Sequence, residues 1–263
     1  MSLVAIVPVV VKPLAVSRTF KLTIAYDGTD YVGWQRQAKG ASIQGLLEDA
    51  LRAIEGRHVN VHGAGRTDAG VHALGQVASF NLTATIAPAR LTRALNAVLP
   101  LDVRVDGAEE APADFHARFS ATGKIYEYRI VTGPVASPFG RRYVWHVPPR
   151  LNLDAIRTAS MSLLGAHDFA AFQGRGTSRP STERTLRRLE WHTGSSPDAP
   201  LVMEIEGNGF LRHMVRSIAG TLVEIGLGRR PPDDIVRILE SRDRACAGAT
   251  APASGLFLAR VLY

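Results

Sequence analysis

The sequence predicts an α+β fold, and three observations carry that reading. Short segments with period-two hydrophobic alternation recur along the chain. Amphipathic helical stretches stand between them, and the order lacks the regular strand–helix–strand crossovers of a parallel α/β sheet. The 263 residues, 46% of them hydrophobic, exceed one average domain and can fill sizeable cores.

Residues 20–26 alternate and stop at Asp27-Gly28, which reads as a strand followed by a turn. Ser42 is placed to cap a helix in which Ile43, Leu46, Leu47, Ala50, Leu51 and Ile54 recur at helical spacing until Gly56 ends the run. A short strand near 58–62, a glycine-rich loop at 63–73 and a strand over 76–80 follow. Pro88 opens a second helix carrying Leu91, Leu95 and Val98, and residues 101–105 return as a strand. The second half repeats this grammar. Residues 125–130 alternate as a strand, Asn152 or Asp154 starts a helix through 164, and 186–191 and 201–206 read as paired strands. A long helix is expected from about residue 210 to 225. Its apolar stripe is Leu211, Met214, Val215, Ile218, Leu222 and Ile225, with Arg212 and Arg216 together on another face at i, i+4. A short helix near 233–239 and a strand over 256–262 close the chain. The periodicity breaks near 108–117. The expected organisation is therefore a disordered N-terminal extension over 1–17, one half over 18–112 and a second over 113–263.

Lys and Arg number 31 against 24 Asp and Glu, a net charge of +7, and arginine carries most of the excess. Arginine grips phosphate in two places and stacks on bases, so the charge points to nucleic acid ahead of a membrane surface. The single cysteine, Cys246, excludes an intrachain disulfide and fits a reducing cytosol. No base motif adjoins it, so it is not read as a nucleophile. The apolar segment before residue 17 is interrupted by Pro8, Lys12 and Pro13, and no segment approaches membrane length. The expected location is the cytoplasm.

The densest chemistry lies in Gly63-Ala64-Gly65-Arg66-Thr67-Asp68-Ala69-Gly70-Val71-His72-Ala73. Glycines at 63, 65 and 70 permit positive φ and close backbone approach, so this loop is built to present Asp68. Arg66 shares its side of an extended backbone and is suited to pair with it or with a phosphate. Other signatures fail. Gly63-x-Gly65 and Gly207-x-Gly209 lack the third glycine of a dinucleotide fingerprint, Asp68-Ala69-Gly70 has no second copy to make an aspartic dyad, and no Gly-x-Ser-x-Gly elbow occurs. His62, His72, His116 and His213 lack metal-ligand spacing, so no metal is expected. Tyr126 and Tyr128 share one face of their strand, as core residues or as a stacking platform for bases. Between residues 175 and 188 stand five arginines, at 175, 179, 184, 187 and 188, which reads as a basic loop suited to phosphates or as an ordinary solvated one.

Several strings together resemble the bacterial tRNA pseudouridine synthase A family. They are residues 26–37 (YDGTDYVGWQRQ), 43–48 (IQGLLE), 66–73 (RTDAGVHA), Tyr126-x-Tyr128, 209–216 (GFLRHMVR) and 253–258 (ASGLFL), and the match runs from about residue 20 to 263. The resemblance implies two related halves with antiparallel sheets flanked by helices and a central basic cleft. It implies conversion of uridine to pseudouridine at positions 38 to 40 of the tRNA anticodon stem-loop, by a homodimer, with tRNA as partner and without cofactor or metal. By the same carry-over Asp68 is the nucleophile, Arg216 pairs with it, Tyr126 stacks on the target base, Arg66 helps hold the flipped nucleotide, and Gly255-Leu256 forms a pocket wall. Residues 1–17 have no family counterpart, and 173–181 lack a cysteine-containing pattern associated with some members. The chemistry fits such a site. The N1–C1′ bond must break, the uracil must turn while bound, and C5 must join C1′, with no redox centre required. A base must also leave its stack to reach a carboxylate, which calls for a cation and an aromatic platform. Attack by Asp68 at C1′, attack at C6 and assistance to a glycal all remain open.

Overall fold

The computed structural model describes residues 17–174, 176, 181–194 and 199–263. The expected N-terminal extension, apart from residue 17, and the arginines at 175 and 179 lie outside the described residues.

Strand β1 (Arg18–Tyr26) buries Phe20, Leu22, Ile24 and Tyr26 on one face, as its alternation predicts. Helix α1 (Ile43–Glu55) is capped by the Ser42 side chain, which accepts from the Gly45 N–H, and ends at a left-handed Gly56 with φ 76°. Strands β2 (His62–Gly63) and β3 (His72–Leu82) bracket the Asp68 loop. Helix α2 (Pro88–Val98) starts at the expected proline and leads to β4 (Val103–Ala111), which runs further than its apolar residues signal. Then come β5 (Gly123–Thr132), β6 (Trp145–Val147), α3 (Leu153–Met161), β7 (Gly165–Asp168), β8 (Glu183–His192) and β9 (Leu201–Gly207). The chain closes with α4 (Met214–Gly226), α5 (Asp234–Ser241) and β10 (Leu256–Leu262). The short strands β6 and β7 carry too few alternating residues to be read from sequence.

The α+β class holds, and among the described residues the strands form one mixed sheet flanked by five α-helices. Eight strands run in the order β4-β1-β3-β10-β5-β9-β8-β7, with β2 on β3 and β6 on β5. Antiparallel pairs make up most of it. The C-terminal strand β10 is the seam, parallel to β3 through Phe257↔His72 and antiparallel to β5 through Leu256↔Tyr128 and Leu258↔Tyr126. Last in sequence, β10 thus sets β3 and β5 on its two sides.

One expectation is corrected at α4. The helix begins at Met214, and His213 adopts a left-handed conformation with φ 60°, so Arg212 precedes the helix instead of sharing a face with Arg216. Leu211 keeps the stripe's burial without belonging to the helix, which is why hydrophobic spacing alone placed the start too early.

A carboxylate at the end of α1 fixes the connection after β3. Glu55 accepts from the Thr83 N–H at 2.9 Å, the Thr83 hydroxyl at 2.5 Å and the Ala84 N–H at 3.0 Å, and it pairs with Arg57. Burial alone would raise its pKa, but these bonds favour the ionised form and hold it at about 2. The folded pKa lies below the unfolded one, so the stabilisation is complete above the unfolded value and is lost as pH falls toward 2. In denaturant titrations between pH 5 and 2, Glu55→Gln is expected to be less stable than wild type at pH 5 and to show a flatter decline.

Candidate active site

The Asp68 loop is held from several directions. Trp34 N–H donates to Thr67 O at 3.1 Å, the Tyr26 hydroxyl meets Thr67 Oγ1 at 2.8 Å, and Gln76 Nε2 donates to Gly65 O at 2.9 Å. Val71 N–H closes a turn onto Asp68 O at 3.1 Å, with Gly70 at φ 75°. Of the three loop glycines only Gly70 uses positive φ. Gly63 is required by proximity, since a Cβ there would lie 2.4 Å from the Trp34 ring. Burial pushes the Tyr26 hydroxyl up to about 12 despite its bonds to Thr67 and Gln76, so it stays a neutral partner of the loop.

Asp68 is the partly open end of this rigid turn, its side chain 30% exposed. Its Oδ2 lies 3.5 Å from Arg216 Nη1 and 3.5 Å from His213 Nε2. Arg216, in the first turn of α4, is far from a solvated surface residue. Its side chain is 16% exposed and its Nε donates to Ala251 O at 2.7 Å, which aims the guanidinium at the carboxylate. The expected pairing with a distant arginine is therefore met by Arg216. Arg66 is exposed and makes no hydrogen bond or ion pair with the described residues.

The segment before β10 ties these parts together. Ala251 exchanges backbone and side-chain bonds with Arg216, Pro252 O accepts the Tyr128 hydroxyl at 2.7 Å, and Ala253 lies against the turn at Gly70. Leu256, the first residue of β10, is buried opposite Tyr128 in the strand register. The two tyrosines of β5 part company. Tyr128 is fully buried as core, whereas Tyr126 is 7% exposed and meets Phe210 edge-on, ring centroids 5.0 Å apart. Burial, with Tyr26 and Asp68 nearby, raises the Tyr126 hydroxyl far above the ordinary tyrosine range, so it stays protonated.

His213 is the site residue that sequence reasoning missed. It was weighed only as a metal ligand, although it stands between Arg212 and Arg216 in the 209–216 string. Burial lowers its pKa, Asp68 opposes that, and Arg216, Arg212 and Arg244 reinforce it, so the ring is neutral at neutral pH. Its left-handed backbone costs on the order of 1–2 kcal/mol. That conformation points the imidazole at Asp68. Elsewhere, Glu190, His192 and Glu204 bring possible ligand atoms within 4.8 Å of one another, but Arg188 already pairs with both glutamates.

Comparison with known proteins agrees with this geometry. The family model described as tRNA pseudouridine synthase matches residues 22–120 and 159–263. The chain belongs to that family. The tRNA pseudouridine synthase A of Latilactobacillus sakei is 42% identical over 248 residues, covering 94% of this chain and 99% of the relative. That of Thermoanaerobacter sp. is 43% identical over 246 residues, covering 94% and 100%, and that of Maridesulfovibrio salexigens is 44% identical over 244 residues, covering 92% and 89%. Among the described residues no helix of this family member is long and apolar enough to cross a membrane.

Proposed function

We propose that this enzyme isomerises uridine at positions 38 to 40 of the tRNA anticodon stem-loop, with Asp68 as nucleophile. As a pseudouridine synthase it is an isomerase that acts on tRNA uridine. The observation that carries the finer reading is the half-open carboxylate of Asp68, 3.5 Å from the Arg216 guanidinium and beside Tyr126. A carboxylate attacks through an oxygen that is reachable from the cleft, and the fixed Arg216 guanidinium orients it.

The reaction balances without a co-reactant. The N1–C1′ bond breaks, the uracil turns, C5 bonds to C1′, the C5 proton leaves and N1 gains a proton. Asp68 serves attack at C1′, attack at C6 or assistance to a glycal equally well by position. Tyr126 is the aromatic residue on which the target base stacks, Leu256 backs that wall, and Arg66 extends to the flipped nucleotide's phosphate. Extruding the base costs a few kcal/mol, which these contacts offset. The working form is a homodimer in the cytoplasm, a reading that rests on the family resemblance and fits exposed apolar residues such as Val135 and Phe139.

Pseudouridine mapping in tRNA from a strain lacking the gene tests the target. Loss confined to positions 38 to 40 is the expected result. Loss elsewhere would mean another uridine is the substrate, and no loss would leave an RNA-binding protein without this activity.

A further inference from the structure

Lys124 and Arg184 lie on the Tyr126 side of the cleft without belonging to the Asp68 cluster, and Arg118 adds its charge to that of Lys124. Lys124 lies on β5 two residues before Tyr126, so both side chains leave the same face of the strand. Its half-buried arm lies along the Asp68 loop. A Cβ at Gly65 would stand 3.1 Å from Lys124 Cε, so the glycine leaves that arm its space. Among the described residues Lys124 makes no hydrogen bond and no ion pair. What surrounds it is positive. Burial, then Arg118, then Arg184 lower the ammonium's pKa below the ordinary lysine range. Arg118 comes from the segment before β5, and its guanidinium sits 5.4 Å from the centroid of exposed Phe119. Arg184 comes from β8, and its arm passes Gly209, next to the Phe210 that packs on Tyr126.

We propose that Lys124, with Arg118 and Arg184, is a binding station for one backbone phosphate of the RNA next to the target nucleotide. The proposal rests on the tRNA reading above. Three cations from separate elements repel one another, and a half-buried ammonium without an acceptor loses hydration. A phosphate removes both penalties at once, giving Lys124 an acceptor and offsetting the charge of Arg118 and of Arg184, whose Nη1 already donates to the Ser181 and Glu183 carbonyls. Its position on the Tyr126 face places it to anchor the strand beside the target nucleotide.

The test is tRNA binding by wild type and Lys124→Met across a salt series, with single-turnover pseudouridine formation at saturating tRNA. Each phosphate contact adds about 0.7–0.9 to the slope of log K against log salt. Lys124→Met is expected to lose about that much slope, bind roughly 5–10-fold more weakly at fixed salt, and convert bound tRNA within about twofold of wild type, with Lys124→Arg restoring most of the affinity. Arg118→Gln, on a different element, is expected to lower the slope likewise and decides the matter should Lys124→Met fail to fold. An unchanged slope in the folded variants would overturn the station. So would full affinity with a collapsed single-turnover rate, since that would put Lys124 in the chemistry. If wild-type enzyme binds tRNA but forms no pseudouridine, the functional reading fails and the slope still judges the phosphate contact.

Discussion

Asp68→Ala is expected to abolish pseudouridine formation, by about four orders of magnitude or more, while tRNA binding stays within a few-fold of wild type. A loss of that size corresponds to about 5 kcal/mol of transition-state stabilisation, the scale expected when a nucleophile is removed and nothing nearby can replace it. His213, whose imidazole stands 3.5 Å behind the carboxylate, offers no second carboxylate in its place. The variant should fold normally. The loop is held by bonds from Trp34, Tyr26 and Gln76 to Thr67 and Gly65, none of which uses the Asp68 side chain. Quantifying pseudouridine in tRNA from a gene-deletion strain carrying the variant, alongside binding by the purified protein, checks both halves of the expectation.

Arg216→Ala is expected to lower kcat/KM by about 10²–10³-fold, or roughly 3–4 kcal/mol, with most of the loss in kcat. The guanidinium does two things that alanine cannot. Its Nη1 faces Asp68, and its Nε satisfies the Ala251 carbonyl, so the variant leaves a carboxylate without its cation and an acceptor without its donor. The orphaned acceptor should cost about 1–3 kcal/mol of stability, and each kcal/mol lowers Tm by about 2–4 °C in a protein of this size. Arg216→Lys should recover less than its charge suggests, because one ammonium cannot reach both partners in a fixed fork. Steady-state kinetics with thermal denaturation of the three proteins measures this. A wild-type rate for Arg216→Ala would return that residue to a structural role.

The parts legible in the sequence were those whose signal is local. The Ser42 cap, the Gly56 stop, the Pro88 start and the alternation in β1 each fix their own element, and the closing strand over 256–262 is likewise where expected. The glycine loop likewise announced Asp68. What the sequence did not show was set by pairing between distant segments. That β10 lies between β3 and β5 follows from strand register, and the placing of Tyr126 near Asp68 follows from that. Tyr126 and Tyr128 were indistinguishable by alternation, yet Tyr128 packs wholly into the core and bonds to Pro252 while Tyr126 keeps 7% of its surface exposed and meets Phe210 edge-on. His213 was hidden for a third reason. Its role depends on a left-handed backbone angle that interrupts an apolar stripe whose spacing continues through it.

The most direct test of Asp68 as nucleophile is single-turnover conversion of saturating tRNA by purified Asp68→Asn, a change that keeps shape and removes the charge. The expected result is wild-type affinity with no detectable pseudouridine over many wild-type half-lives. Conversion within about tenfold of the wild-type rate, a difference of only about 1.4 kcal/mol, would contradict the assignment.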